Sequence, residues 1–191
     1  MLRNKLYVLY LILLFCGFYF PSYPLVAECI SINPRNQNCL MGWALETLQK
    51  IRTPEQIIIP SIEIAKAYSI IKEEKKSDDI LESAYSLSQK INNFESRLNY
   101  SSKIINSYDV NKFNQKKLLD LIEKNLVEIK KIQNDEIKLN VISNFSLTLS
   151  KLKLYKRALS TLNSIPKKTE LINFYKAQTL RKISVIQATN G

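Results

Sequence analysis

Residues 91–102 return 41 positions later as residues 132–143. Ile91, Asn93, Glu95, Leu98, Asn99 and Ser102 meet Ile132, Asn134, Glu136, Leu139, Asn140 and Ser143, while Arg97 meets Lys138. Six identities in twelve positions, four of them polar, mark a supersecondary unit used more than once. The pattern falls where one helix ends, a short turn follows and the next helix begins, which is the boundary of a repeating helix pair. An offset of 40 extends the echo backwards: Ile51, Glu55, Ile64 and Tyr68 answer Ile91, Glu95, Ile104 and Tyr108. The next unit, over residues 132–165, is shorter. Helix pairs of this length cannot each bury an apolar face alone and do so by stacking on neighbours.

Glycine usage agrees with an all-α chain. Only Gly17, Gly42 and Gly191 occur, whereas sheets with tight hairpins and Gly-rich phosphate loops draw on glycine for positive φ. Within residues 41–51, Ala44, Leu45, Leu48 and Ile51 recur at helical spacing beside Trp43, which predicts an N-terminal cap helix. Thr53, Pro54 and Gln56 form a helix-start signature, and Pro60 predicts a kink or a restart. Ile64, Ala65, Tyr68 and Ile71 line the next helix. Ser77, Asp78 and Asp79 are read as the opening of its partner, which carries Ile80, Leu81, Ala84, Leu87 and Ile91. After Asn92 and Asn93 come an inner helix through Leu98, Ile104, Ile105 and Tyr108, a break over residues 109–114, and an outer helix through Leu118, Ile122 and Ile129. Asn134, Asp135 and Glu136 cap a third inner helix with Val141, Ile142, Phe145 and Leu149. Residues 152–165 form its partner, stopped by Pro166, and a last helix covers residues 169–186.

Arg3 and Lys5 precede an apolar run over residues 6–20, followed by Pro21, Pro24 and the small Ala27. This predicts a signal peptide over residues 1–27. Fifteen apolar residues fall short of the about 20 needed to cross a bilayer. The bulk of Leu25, three residues before the expected cut, keeps an uncleaved membrane anchor as the alternative. Cleavage leaves Cys29 and Cys39, an even pair in an exported chain. Residues 28–50 therefore read as a disulfide-closed loop over 28–40 followed by the cap helix. Such a bridge would add roughly 2–3 kcal/mol by limiting the unfolded state; two separate reduced thiols are the competing reading. Residues 51–187 form the repeat domain and 188–191 a disordered tail.

The formal charge is +11, and loss of Arg3 and Lys5 would leave +9. The lysines are dispersed and seldom exceed two in a row, which argues against nucleic acid as partner and for a solvated basic surface. No histidine is present. Serine–histidine and cysteine–histidine nucleophiles are thereby excluded, together with the commonest metal ligand, so no catalytic residue, cofactor or metal is expected. Nothing selects a pair of carboxylates for hydrolysis of a glycan. The acceptor patterns at Asn99-Tyr100-Ser101 and Asn144-Phe145-Ser146 fall inside expected helices, where coincidence explains them best.

Leu152, Tyr155, Ala158, Leu159 and Leu162 resemble the second helix of a tetratricopeptide repeat, in which tyrosine, alanine and a large apolar residue recur at this spacing. The resemblance implies a short right-handed α-solenoid of antiparallel helix pairs, about three repeats plus capping helices. Ala158 would sit at the close crossing of two helices, and the small residue of the first helix would fall near Ser146. An irregular helical bundle is the alternative, against which the matched Asn99 and Asn140 argue. Family members are mostly scaffolds whose inner helices form a concave groove for a peptide or another protein. On that basis Lys66, Asn99, Lys103, Asn140 and Asn144 are the candidate partner-binding residues of an exported, non-catalytic adaptor. A basic envelope-associated protein that binds anionic lipid or polysaccharide is the other reading.

Overall fold

The computed structural model describes residues 37–165 and 169–189. The signal segment, the side chains of the Cys29 and Cys39 pair, and Pro166 lie outside them. The described residues form eight α-helices, one 3-10 turn and no strand, so this is an all-α protein. The chain divides into two compact units, residues 1–52 and 53–191.

The first unit contributes α1 (Gln37–Gln49). It begins four residues before the expected start, so residues 37–40 belong to the helix and not to the loop read over 28–40. Met41, Trp43, Ala44 and Leu48 are buried. The Thr47 hydroxyl donates to the Trp43 carbonyl at 2.9 Å, and amides of Lys50 and Ile51 close the last turn on Thr47 and Leu48.

The second unit holds α2 (Pro54–Ile70), α3 (Glu74–Ser88), α4 (Phe94–Ser107), α5 (Gln115–Glu128), the 3-10 turn (Ile129–Lys131), α6 (Asp135–Lys151), α7 (Tyr155–Asn163) and α8 (Glu170–Thr189). The even helices α2, α4 and α6 start at residues 54, 94 and 135, and the odd helices α3, α5 and α7 at 74, 115 and 155. These are the 40- and 41-residue intervals of the sequence echo. Equivalent positions share a fate. Ile58, Leu98 and Leu139 are buried, as are Ile64, Ile104 and Phe145, then Tyr68, Tyr108 and Leu149, and on the odd helices Leu81, Ile122 and Leu162. All but Ile64, Tyr68 and their neighbours at the edge join one apolar cluster with Ala158 and Ile183. Packing follows chain order: α2 on α3 and α4, α4 on α5 and α6, α6 on α7 and α8.

The polar part of the echo is helix-end chemistry. Asn93 and Asn134 are N-caps whose side-chain oxygens accept from the amides of Ser96 (2.8 Å) and Ile137 (3.0 Å), satisfying donors that a first turn leaves open. Glu95 reaches forward to the next unit and accepts from the amides of Gln133 (2.5 Å) and Asn134 (3.1 Å). Asn114 caps α5 in the same manner, through the amide of Lys117 at 3.0 Å.

Five further expectations change. Of the kink and the restart expected at Pro60, the restart does not occur, since α2 is continuous over it; a proline forfeits one amide bond, and burial of Ile58, Ile62 and Ile64 around it holds the helix together. Thr53 occupies the N-cap position without bonding the backbone; its hydroxyl donates instead to Gln56 Oε1 at 2.6 Å. Helix α3 opens at Glu74, not at Ser77 to Asp79. The reason is Lys72, which turns the chain back early with φ 67°. Its amide bonds the Ser69 carbonyl and the Glu73 amide bonds Tyr68, a left-handed helix stop of the Schellman type. Lys153 (φ 63°) repeats it between α6 and α7, with the Leu154 amide on Leu149. Residues 152–154, read as helix, are therefore this reversal. In the middle copy α4 stops at Ser107, the amides of Lys112 and Phe113 bond the Asp109 carbonyl, and the Tyr108 and Phe113 rings stack at 4.0 Å. At the C-terminus α8 continues to Thr189, so residues 188 and 189 are helix and not tail.

Candidate functional site

The even helices carry a line of polar side chains above their buried apolar face, and its members bond from helix to helix. Asn144 Nδ2 on α6 donates to Ser102 Oγ on α4 at 3.0 Å. Thr148 Oγ1 on α6 contacts Asn106 Oδ1 on α4 at 3.3 Å, and Thr179 Oγ1 on α8 contacts Ser143 Oγ on α6 at 3.2 Å. Lys151, in the last turn of α6, donates to the Asn106 carbonyl at 2.6 Å and to Asn106 Oδ1 at 3.1 Å. Each of these bonds joins residues 36–45 apart in sequence.

Beyond Lys151 the two helices α6 and α8 bound an open groove of about 640 Å³, lined by Asn106, Leu147, Lys151, Gln178, Arg181, Lys182, Val185 and Ile186. Among the described residues no carboxylate lines it. Burial pushes the Lys151 amine below the ordinary lysine range, and the Lys66 charge adds to the shift against a smaller opposing pull from Asp109. Water is the usual stabiliser of an ammonium group; where it is partly excluded, a neighbouring cation makes the charged form still less favourable. An incoming anion would reverse both effects.

The five sequence candidates divide accordingly. Lys66 is exposed and ion-paired to Glu63 at 2.7 Å, one turn away on α2. Lys103 lies 5.7 Å from the Tyr100 ring centroid on its own helix, a modest cation–π contact. Asn140 is half-buried on α6. Asn144 is taken up in joining α6 to α4, which makes it a packing residue. Asn99 has its side-chain oxygen buried with no hydrogen-bond partner, a state shared with the hydroxyls of Ser146 and Ser150. Ser101, Phe145 and Ser146 are fully buried, so neither acceptor pattern is displayed as a surface loop. None of the five lines the groove; only Lys66 acts on it, through its charge.

Sequence reasoning missed Asn106, Lys151, Arg181 and Lys182. Asn106 stood within reach, because it occupies the position of Lys66 one repeat later. Lys151 is the last residue of a helix of mixed polarity and gave no local signal. The α8 cations belong to a helix outside the echo.

Among the described residues no three acidic or cysteine side chains converge as a metal-binding group, and no helix is long and apolar enough to cross a membrane. Comparison with protein-family models, with curated proteins and with solved structures finds no match for this chain.

Proposed function

We propose that the chain is an exported, non-catalytic adaptor: a short right-handed α-solenoid of antiparallel helix pairs, similar to tetratricopeptide repeats, that holds a protein or peptide on the face formed by α2, α4, α6 and α8. The observation that carries this reading is the common register of the two helix sets, whose starts at 54, 94 and 135 and at 74, 115 and 155 keep one interval. Helices that contact only near neighbours in chain order build an extended surface, and the even set shares one side of it. Ala158 and Ser146, the two small residues of the resemblance, are both fully buried where α6 packs on α7. The export element rests on Arg3, Lys5 and the apolar run over residues 6–20.

The absence of histidine supports binding over catalysis. Six of the cations are ion-paired, at Lys66, Lys76, Lys112, Lys117, Lys131 and Arg157. That pairing reduces the free charge that a lipid- or polysaccharide-binding surface would draw on. Panning a random peptide library against the purified protein tests the adaptor. Selected peptides should lose affinity with Asn140→Arg on α6 and keep it with Val127→Arg, an exposed position on α5. Enrichment of nothing, or equal sensitivity to both variants, contradicts it.

A further inference from the structure

We propose that the groove between α6 and α8 takes an acidic peptide segment, its side-chain carboxylates on Lys151, Arg181 and Lys182 and an apolar residue of the same segment against Leu147, Val185 and Ile186. The proposal rests on the adaptor reading and adds the chemistry of the partner.

Charge is the first argument. Among the described residues the groove lining holds three cations and no carboxylate, and none of the three lies within ion-pair distance of an acid, while Lys117 and Arg157 on the odd helices do. From Glu170 onward α8 carries Lys176, Arg181 and Lys182 and no further acid through Thr189. A concave site lined by one sign of charge, with partly desolvated walls, concentrates ligands of the opposite sign.

Preorganisation is the second. A lysine ammonium has three donors. Two are engaged by the carbonyl and side-chain oxygens of Asn106, which fixes the amine at the groove wall with one donor left for a ligand. A held group loses less conformational entropy on binding than a free lysine would. The same fixation disfavours exchange of the amine into bulk water, and burial makes it a poorly solvated cation, so a carboxylate arriving there replaces missing solvation.

Shape and polarity are the third. About 640 Å³ is ample for several side chains, and the groove is open along α8 rather than closed. Val185 is 56% exposed and lies beside the cations. Exposed apolar surface rimmed by charge suits an acidic segment that also carries an aliphatic residue, whereas a purely polyanionic ligand leaves it in water.

Fluorescence anisotropy of short labelled peptides on the purified protein tests this. A peptide interleaving Glu with Leu should bind. One interleaving Gln with Leu should bind at least about tenfold more weakly, as should the acidic peptide on Lys151→Met, the loss expected for one charge-assisted hydrogen bond. Lys151→Arg, which keeps the charge, should retain binding, and circular dichroism should be unchanged in both variants. Equal binding of the Glu and Gln peptides, or indifference to Lys151→Met, overturns the acidic partner and leaves the adaptor standing. Binding of dextran sulfate or phosphatidylglycerol vesicles through Lys151, with no peptide bound, overturns both. No binding of any probe overturns the proposal as well.

Discussion

Along the odd helices the steps between repeats include ion pairs: Glu82 on α3 pairs with Lys117 on α5 at 2.5 Å, and Glu123 on α5 pairs with Arg157 on α7, beside one long neutral contact of 3.5 Å from Asn125 to the Tyr85 hydroxyl. Along the even helices the steps shown are hydrogen bonds without an ion pair: Asn144 to Ser102, Thr148 to Asn106 and Thr179 to Ser143 between neutral groups, the Lys151 amine to Asn106, and the amides of Gln133 and Asn134 to Glu95. The ionic steps repeat in register, since Glu82 and Glu123, like Lys117 and Arg157, are equivalent positions. Their side chains are 43–51% exposed, so solvent screening leaves little net energy in them. The neutral contacts are part-buried and cost more to break, because a stranded buried group loses its hydration without return. Among the described residues no ion pair holds Lys151, Arg181 or Lys182, and the pull of Asp109 on Lys151 is the smallest influence on that amine. A set of helices that neutralises its own cations is a poor anion binder; one joined by hydrogen bonds without ion pairs leaves Arg181 and Lys182 available, and leaves Lys151, two of whose donors are on Asn106, one donor for a ligand.

Four changes sharpen this contrast. The largest effect is expected from Phe145→Ala, at a fully buried position where α6 joins the apolar cluster. Loss of about 3–5 kcal/mol is expected in urea unfolding, with both helix sets melting together because they share that cluster. Asn106→Ala comes next, at about 1–3 kcal/mol, since it removes the side-chain partner of both Thr148 and Lys151. A cost near zero would show that the neutral contacts are no stronger than the ionic ones.

Lys151 contributes a slope with pH. Its folded-state pKa is depressed by burial and by Lys66, so between that value and the ordinary lysine value of 10.5 the unfolded chain holds more protons than the folded one. Stability of the wild type relative to Lys151→Met should therefore rise as pH climbs through that window, the burial penalty being fully present below it. Thermal melts of the two proteins across alkaline buffers check the sign. A flat difference would mean that the amine is fully solvated. The smallest effect is expected from Glu123→Gln, within about 0.5 kcal/mol of wild type and vanishing in high salt; a loss as large as that of Asn106→Ala would erase the distinction between the helix sets.

The sequence made the helix boundaries readable where the signal was local and repeated. Asn134 caps the helix that it was expected to cap, Asn93, read as part of a turn, caps its own in the same manner, and Leu98 and Leu139 are buried. It misled where one residue overrode its neighbours. Ser77, Asp78 and Asp79 look like a helix start, yet the left-handed turn at Lys72 had already reversed the chain, and nothing marks a lysine for positive φ. The groove was hidden for a different reason. Asn106, Lys151 and Arg181 are brought together by packing of three helices 30–75 residues apart in sequence, and α8 lies outside the echo that revealed the rest. Polar residues on the even helices were identified as a class, but which of them join helices and which face a ligand depends on distances between helices that periodicity does not carry.

The division between a self-neutralised face and an anion-receptive one is tested most directly by amide chemical-shift mapping during titration with the peptide that interleaves Glu and Leu. The expected perturbations concentrate at Asn106, Leu147, Lys151, Gln178, Arg181 and Lys182, and leave Glu82, Lys117, Glu123 and Arg157 unmoved. Shifts spread equally over the odd helices, or confined to them, would contradict the account.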